Sequence, residues 1–303
     1  MANMGLFIAD VFFKNPVITA SGTFGFGREY NELYPIGKLG GVSCKGTTLL
    51  ERMGNPPPRI VETPSGILNS VGLQNPGIEH FIKEDLGWLK SQGTVAIANV
   101  AGSTLEDYCK VAEILSDTDV DMIELNISCP NVKEGGVSFG TSASSVENIT
   151  EQVKMRSSKP VMIKLTPNVT DIAEIAKAAE SGGADAISLI NTLTGMRIDI
   201  NTRRPILKNN TGGLSGRAVF PVAVRMVWQV AQAVSIPVVG MGGIATWQDA
   251  VEMMLAGACA IQVGTANFTD AYTPIKIIDG LEKYLDDNGI KDIKEIVGKA
   301  EMW

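Results

Sequence analysis

Short apolar runs recur along the chain, separated by longer stretches with helical periodicity. The runs are residues 17–21, 41–45, 95–100, 122–127, 160–165, 186–191, 237–243 and 260–265. They are rich in Val and Ile and nearly unbroken in hydrophobicity. That pattern predicts strands buried on both faces, as in a parallel sheet. Helices are predicted over 105–115, 146–155, 171–179, 218–234 and 247–255. Ser103-Thr104, Thr170 and Thr246 stand where N-caps belong. Gly182-Gly183 and Gly257 stand where helices close. Eight strands with crossovers of this length predict an α/β fold, a (β/α)8 TIM barrel, with a doubly wound open sheet as the structural alternative.

Three connections are too long for simple turns: 46–77, 128–145 and 192–217. All three follow strand C-termini, the catalytic face of such a barrel, so the reading is a barrel with long functional insertions there. No stretch reads as an interdomain linker, and residues 1–303 are expected to form one domain.

Composition narrows the function. With 303 residues and 45% apolar content, the chain can bury a large core. Its net charge of −7 gives no electrostatic case for nucleic acid or an anionic membrane. No apolar run reaches the roughly 18 residues of a spanning helix. The opening MANMGLFIADVFFKNP has no cationic start, and Asp10 interrupts its apolar stretch, so it does not read as a signal peptide. Cys44, Cys109, Cys129 and Cys259 are isolated. They suit a reducing cytoplasm and offer neither a zinc site nor the ligands of an iron–sulfur cluster.

Chemistry is expected at the strand ends. Ser21, Lys45, Asn99, Asn126, Lys164, Asn191, Gly242-Gly243 and Gly264-Thr265 close or nearly close the eight strands. The glycines after strands seven and eight suit a phosphate held on backbone N–H groups, or else ordinary tight turns. Lys45 and Lys164 are the only charges in their strands. An internal ion pair is one explanation, but the strands offer few carboxylates besides Glu124. Without such partners, the two lysines suit a substrate carboxylate or a reduced, anionic flavin. Asn69, Asn99, Asn126, Asn131 and Asn191 supply amides that match a planar ring edged with N–H and C=O groups, although asparagine also favours turns. Cys129 sits in the small, polar NISCPN segment. The lone histidine, His80, reads as a helix-surface residue, so a base role for the thiol fits better than a protease-like nucleophile. A free thiol is mostly protonated at pH 7, so activity should rise with pH. A lyase or isomerase with a Schiff base at Lys164 and a non-catalytic binding module are the competing classes.

The motifs ASGTFGFG, CKGTT, GNPPPRIVETPSGILNSVGLQNPG, IANVAG, ELNISCPN, VMIKLTPN, SLINT, GGLSG, VVGMGGI and IQVGT, in this order, resemble the dihydroorotate dehydrogenases, and within them the class 1B branch. That resemblance implies an FMN-binding barrel that oxidises (S)-dihydroorotate. By motif it places FMN contacts on Ser21, Lys45, Gly46, Asn99, Asn126, Lys164, Ile190, Gly216, Gly242, Gly243, Gly264 and Thr265. Substrate contacts fall on Lys45, Asn69, Ser70, Val71, Gly72, Leu73, Asn126, Asn131, Asn191 and Thr192. Cys129 becomes the catalytic base and Lys164 the stabiliser of reduced flavin. Class 2 enzymes carry serine at the base position and an added N-terminal helical region; Cys129 and a barrel starting by residue 17 argue against that class. Class 1B implies a homodimer of this chain within a heterotetramer. Its partner subunit carries FAD and a 2Fe-2S cluster and passes electrons to NAD. A class 1A-like homodimer using fumarate is the alternative within the family. The segment 128–145, with Gly135, Gly136 and Gly140, is expected to act as a lid.

Overall fold

The computed structural model describes residues 2–128, 139–301 and 303. Eight parallel strands form a closed barrel in sequence order: β1 Val17–Thr19, β2 Gly41–Ser43, β3 Val95–Val100, β4 Met122–Asn126, β5 Val161–Lys164, β6 Ala186–Leu189, β7 Val238–Met241 and β8 Ala260–Val263. β8 closes onto β1 through the register Val263↔Thr19. All eight expected strands exist, most of them shorter than their apolar runs. Ser21, Lys45, Asn191 and Gly242-Gly243 stand one or more residues beyond the last paired position. The extra residues turn out of the ladder to build the mouth.

Helices cover the outside: α1 Leu105–Ser116, α2 Ala143–Lys154, α3 Ile172–Ser181, α4 Phe220–Ala231, α5 Trp247–Leu255 and α6 Thr273–Asp287. Thr104 and Thr246 cap α1 and α5, each in a reciprocal capping box with an aspartate at the third helical position. The cap of α3 is Asp171, not Thr170: its carboxylate accepts from the N–H groups of Ala173 and Glu174. Aspartate there also places negative charge at the positive end of the helix. The stretch predicted as one helix over 218–234 is a 3-10 turn, Arg217–Val219, followed by α4.

Successive strand residues face opposite ways, so each strand serves two cores. Val17, Ala96, Ile123, Val161, Ile187, Val238 and Ile261 join the helices in the outer core. Their neighbours Ile18, Ile97, Met122, Met162, Ala186, Val239 and Ala260 fill the inside of the barrel near the strand N-termini. An antiparallel hairpin, Leu6–Ile8 with Val11–Phe13, seals that end by adding Leu6, Ile8 and Phe13 to the same cluster.

Two of the long insertions meet. Residues 60–63 and 66–69 form a hairpin, and 193–195 pairs with 212–215. Gly213↔Asn69 then joins them into one four-stranded sheet beside the mouth. Among the described residues, no helix is long and apolar enough to cross a membrane.

Candidate functional site

The inside of the barrel changes character two residues further along five of the strands. Ile97 gives way to Asn99, Met122 to Glu124, Met162 to Lys164, Ala186 to Ser188 and Ala260 to Gln262. These residues meet across the barrel axis at the Glu124 carboxylate, which has no solvent exposure. Oε2 accepts from Ser43 Oγ at 2.7 Å and Asn99 Nδ2 at 2.6 Å. Oε1 accepts from Ser188 Oγ at 2.8 Å and Gln262 Nε2 at 2.7 Å. Burial alone would raise the Glu124 pKa. The Lys164 ammonium and the donors from Ser43, Ser188 and Gln262 outweigh it and hold the carboxyl below its usual range.

Lys164 is nearly fully buried, donates to Ser21 Oγ at 3.2 Å and stands 4.0 Å from Glu124 Oε2. The reading of Lys164 as a lysine without an acidic partner is therefore corrected: Glu124 is its partner. A buried ammonium with none would cost several kcal/mol. Sequence reasoning missed Ser43, Ser188 and Gln262. Their signal was the strand period, since each lies two residues before a predicted mouth residue: Lys45, Ile190 and Gly264.

Lys45 sits two residues past β2, partly buried. Burial first, and then the charge of Arg59, lower its pKa from the ordinary lysine value. Asn126 Oδ1 accepts from Asn191 Nδ2 at 3.1 Å, and Asn191 Oδ1 accepts from the Thr192 N–H at 2.8 Å. Asn168 braces this corner by donating to the Thr192 carbonyl at 2.9 Å. Asn99 Oδ1 is buried and, among the described residues, has no partner. A Cβ on Gly46 would stand 3.0 Å from it and 3.6 Å from Leu73 Cδ2, so glycine keeps that corner open. Asn69 closes the insertion hairpin. The Ser70 N–H donates to the Arg59 carbonyl at 2.8 Å, the Val71 carbonyl accepts from the Asn55 N–H at 2.9 Å, and Gly72 packs on Asn55. Cys129 and Asn131 lie outside the described residues, as does most of the segment read as a lid. His80 is half exposed beside Asp85, as a helix-surface residue should be.

A cavity of about 580 Å³ opens between the insertion sheet and the ends of β7 and β8. Its walls include Ser65, Gly216, Arg217, Gly243, Thr265 and Phe268. Gly242 and Gly243 have φ of +122° and +79°, a path that side chains rarely follow. A Cβ on Gly243 would stand 2.8 Å from the Phe220 nitrogen, and one on Gly242 would stand 3.0 Å from Ile190 Cγ1. Thr265 Oγ1, just past Gly264, donates to Ser215 Oγ at 2.8 Å and ties the end of β8 to the insertion sheet.

Residues 6–285 match the family described as dihydroorotate dehydrogenase. The chain belongs to the dihydroorotate dehydrogenase family. It is similar to the protein named dihydroorotate dehydrogenase B (NAD(+)), catalytic subunit, of Alkaliphilus oremlandii, with 59% identity over 297 residues and 98% of each chain covered. The like-named protein of Bacteroides thetaiotaomicron is 55% identical over 303 residues, with 100% of each chain covered. That of Thermoanaerobacter pseudethanolicus is 51% identical over 300 residues, with 99% of each covered.

The dihydroorotate dehydrogenase family implies FMN, and the residues present fit it. The orphaned Asn99 Oδ1 is an acceptor waiting for an N–H such as a flavin ring carries. Gly243 and Thr265 line the cavity past the ends of β7 and β8, the place where barrels of this kind bind a phosphate.

Proposed function

We propose that this chain oxidises (S)-dihydroorotate to orotate in the de novo pathway to UMP, as one FMN-binding domain spanning residues 1–303. The observation that carries the reading is the polar mouth, with two lysines and a set of amides above a sealed apolar floor, in a chain of this family. Ser21, Lys45, Gly46, Asn99, Asn126, Lys164, Ile190, Gly216, Gly242, Gly243, Gly264 and Thr265 would hold FMN. When bound, it supplies a two-electron acceptor for the hydride of substrate C6.

The chain's own residues do the rest. The Cys129 thiolate takes the acidic proton from C5, next to the C4 carbonyl, as the C6 hydride departs. Lys45 and the amides of Asn69, Asn126, Asn131 and Asn191, with Ser70 to Leu73 and Thr192, clamp the planar pyrimidine so that C6 faces the acceptor. Lys164 would supply positive charge beside the flavin ring.

Electrons leave through a partner subunit carrying FAD and a 2Fe-2S cluster and pass to NAD. The term "catalytic subunit" and the acceptor NAD(+) in the relatives' names support this, as does a chain whose four cysteines are isolated in sequence. A homodimer within a heterotetramer, in the cytoplasm, completes the reading.

Stopped-flow reduction tests the base. The Cys129→Ala variant should keep FMN and lose flavin reduction by dihydroorotate by about 10²–10⁴-fold, the usual worth of a positioned base. Reduction at the wild-type rate would remove Cys129 from that role.

A further inference from the structure

Five strands besides β4 aim a side chain at the Glu124 carboxylate. Ser43, Asn99, Ser188 and Gln262 supply one hydrogen bond each, and Lys164 approaches to 4.0 Å. An ionised carboxylate only accepts. It therefore fixes which way both amides point: Asn99 Nδ2 and Gln262 Nε2 face it, and the two carbonyl oxygens turn away. Asn99 Oδ1 is left buried, unpartnered among the described residues, and next to the open corner at Gly46. Lys164 is left with Glu124 on one side and Ser21 Oγ on the other.

Holding the barrel together does not call for this arrangement. A buried ion pair stabilises a fold no better than well-packed apolar residues of the same volume. The layer below, with its Ile, Met, Val and Ala, shows that this barrel fills its interior in the apolar way where nothing else is asked of it. A carboxylate saturated by four donors, directly behind a lysine at the mouth, is an electrostatic device.

We propose that Glu124 is a positioning residue that presents Asn99 Oδ1 as an acceptor and holds Lys164 with its charge partly compensated, and so sets the reduction potential of the flavin. This rests on the FMN reading above. With the carboxylate gone, the Lys164 charge stands uncompensated and favours the reduced, anionic flavin over the oxidised, neutral one. In a Glu124→Gln variant the new amide also carries two donors, so Asn99 or Gln262 must turn over to accept from it.

The test is anaerobic spectroelectrochemistry of the purified holoprotein as wild type, Glu124→Gln and Ser188→Ala. Glu124→Gln should raise the midpoint potential by at least a tenfold change in the reduction equilibrium, about 30 mV for a two-electron couple. Ser188→Ala should lower it, because a carboxylate with one donor fewer turns more negative charge toward Lys164. Loosened packing would move both variants the same way. Opposite shifts support the proposal; no shift, or shifts of one sign, overturn it while leaving the functional reading intact. Should Glu124→Gln fail to fold, the sign of the Ser188→Ala shift decides alone. A wild-type protein that binds no flavin overturns the functional reading, and this proposal with it.

Discussion

The two layers inside the barrel share five strands, on which their residues lie two apart, and have opposite chemistry. The lower layer is Ile, Met, Val and Ala, closed off by Leu6, Ile8 and Phe13 of the N-terminal hairpin. The upper layer is Ser43, Asn99, Glu124, Lys164, Ser188 and Gln262: Ser43, Asn99, Ser188 and Gln262 hydrogen-bond to Glu124, and Lys164 faces it as an ion pair. Dispersion and the hydrophobic effect suffice for the first. The second exchanges apolar burial for a fixed set of charges and dipoles, and such departures from the local rule concentrate where a protein works. The contrast locates the boundary between scaffold and site within about one side-chain layer, since the strand period is two.

Removing one member of each layer should separate their roles. Glu124→Leu leaves the Lys164 ammonium buried without a counter-charge and four donors without an acceptor. It should cost about 3–5 kcal/mol of unfolding free energy, measured in urea, and weaken FMN retention as well. Ile18→Ala deletes apolar volume in the lower layer and should cost about 2–5 kcal/mol. Its flavin spectrum and potential should stay those of wild type. If Ile18→Ala shifted the potential as much as Glu124 variants do, the division into scaffold and site would fail.

The smallest effect sharpens the mouth itself. Burial and the neighbouring Arg59 lower the Lys45 pKa. The folded chain therefore binds that proton less tightly than the unfolded chain, which disfavours folding at neutral pH. The penalty fades as pH rises through the lowered folded value. The Lys45 charge, and orotate affinity with it, should fall at lower pH than an ordinary lysine dictates. Arg59→Ala should move that fall to higher pH by removing the second cause and leaving the first. Orotate titrations of the holoprotein across pH, compared between wild type and variant so that the ligand's own ionisation cancels, would show it. Coincident midpoints would exclude Arg59 from the Lys45 environment.

Much of this was legible in the chain because buried parallel strands announce themselves as short Val/Ile runs. The polar residues at their ends then stand out against the apolar ones before them. Lys45, Asn126, Lys164 and Asn191 were found in that way. The cross-barrel bonds to Glu124 were not, because only the closed register shows that Ser43, Ser188 and Gln262 face the same carboxylate. The insertion sheet was hidden for a related reason: Gly213↔Asn69 joins segments far apart in sequence, and GGLSG carries almost no alternation to betray a strand. The hairpin at residues 6–13 escapes the pattern because its strands, Leu6–Ile8 and Val11–Phe13, are only three residues each, too short to show a strand period.

On the proposed reading, the polar layer lies beneath a bound flavin that dihydroorotate reduces. Anaerobic titration of the purified wild-type protein with dihydroorotate tests it directly. The protein should be yellow, and its flavin absorption should bleach as substrate is added. A colourless protein, or a flavin band that dihydroorotate leaves unchanged, would contradict the account.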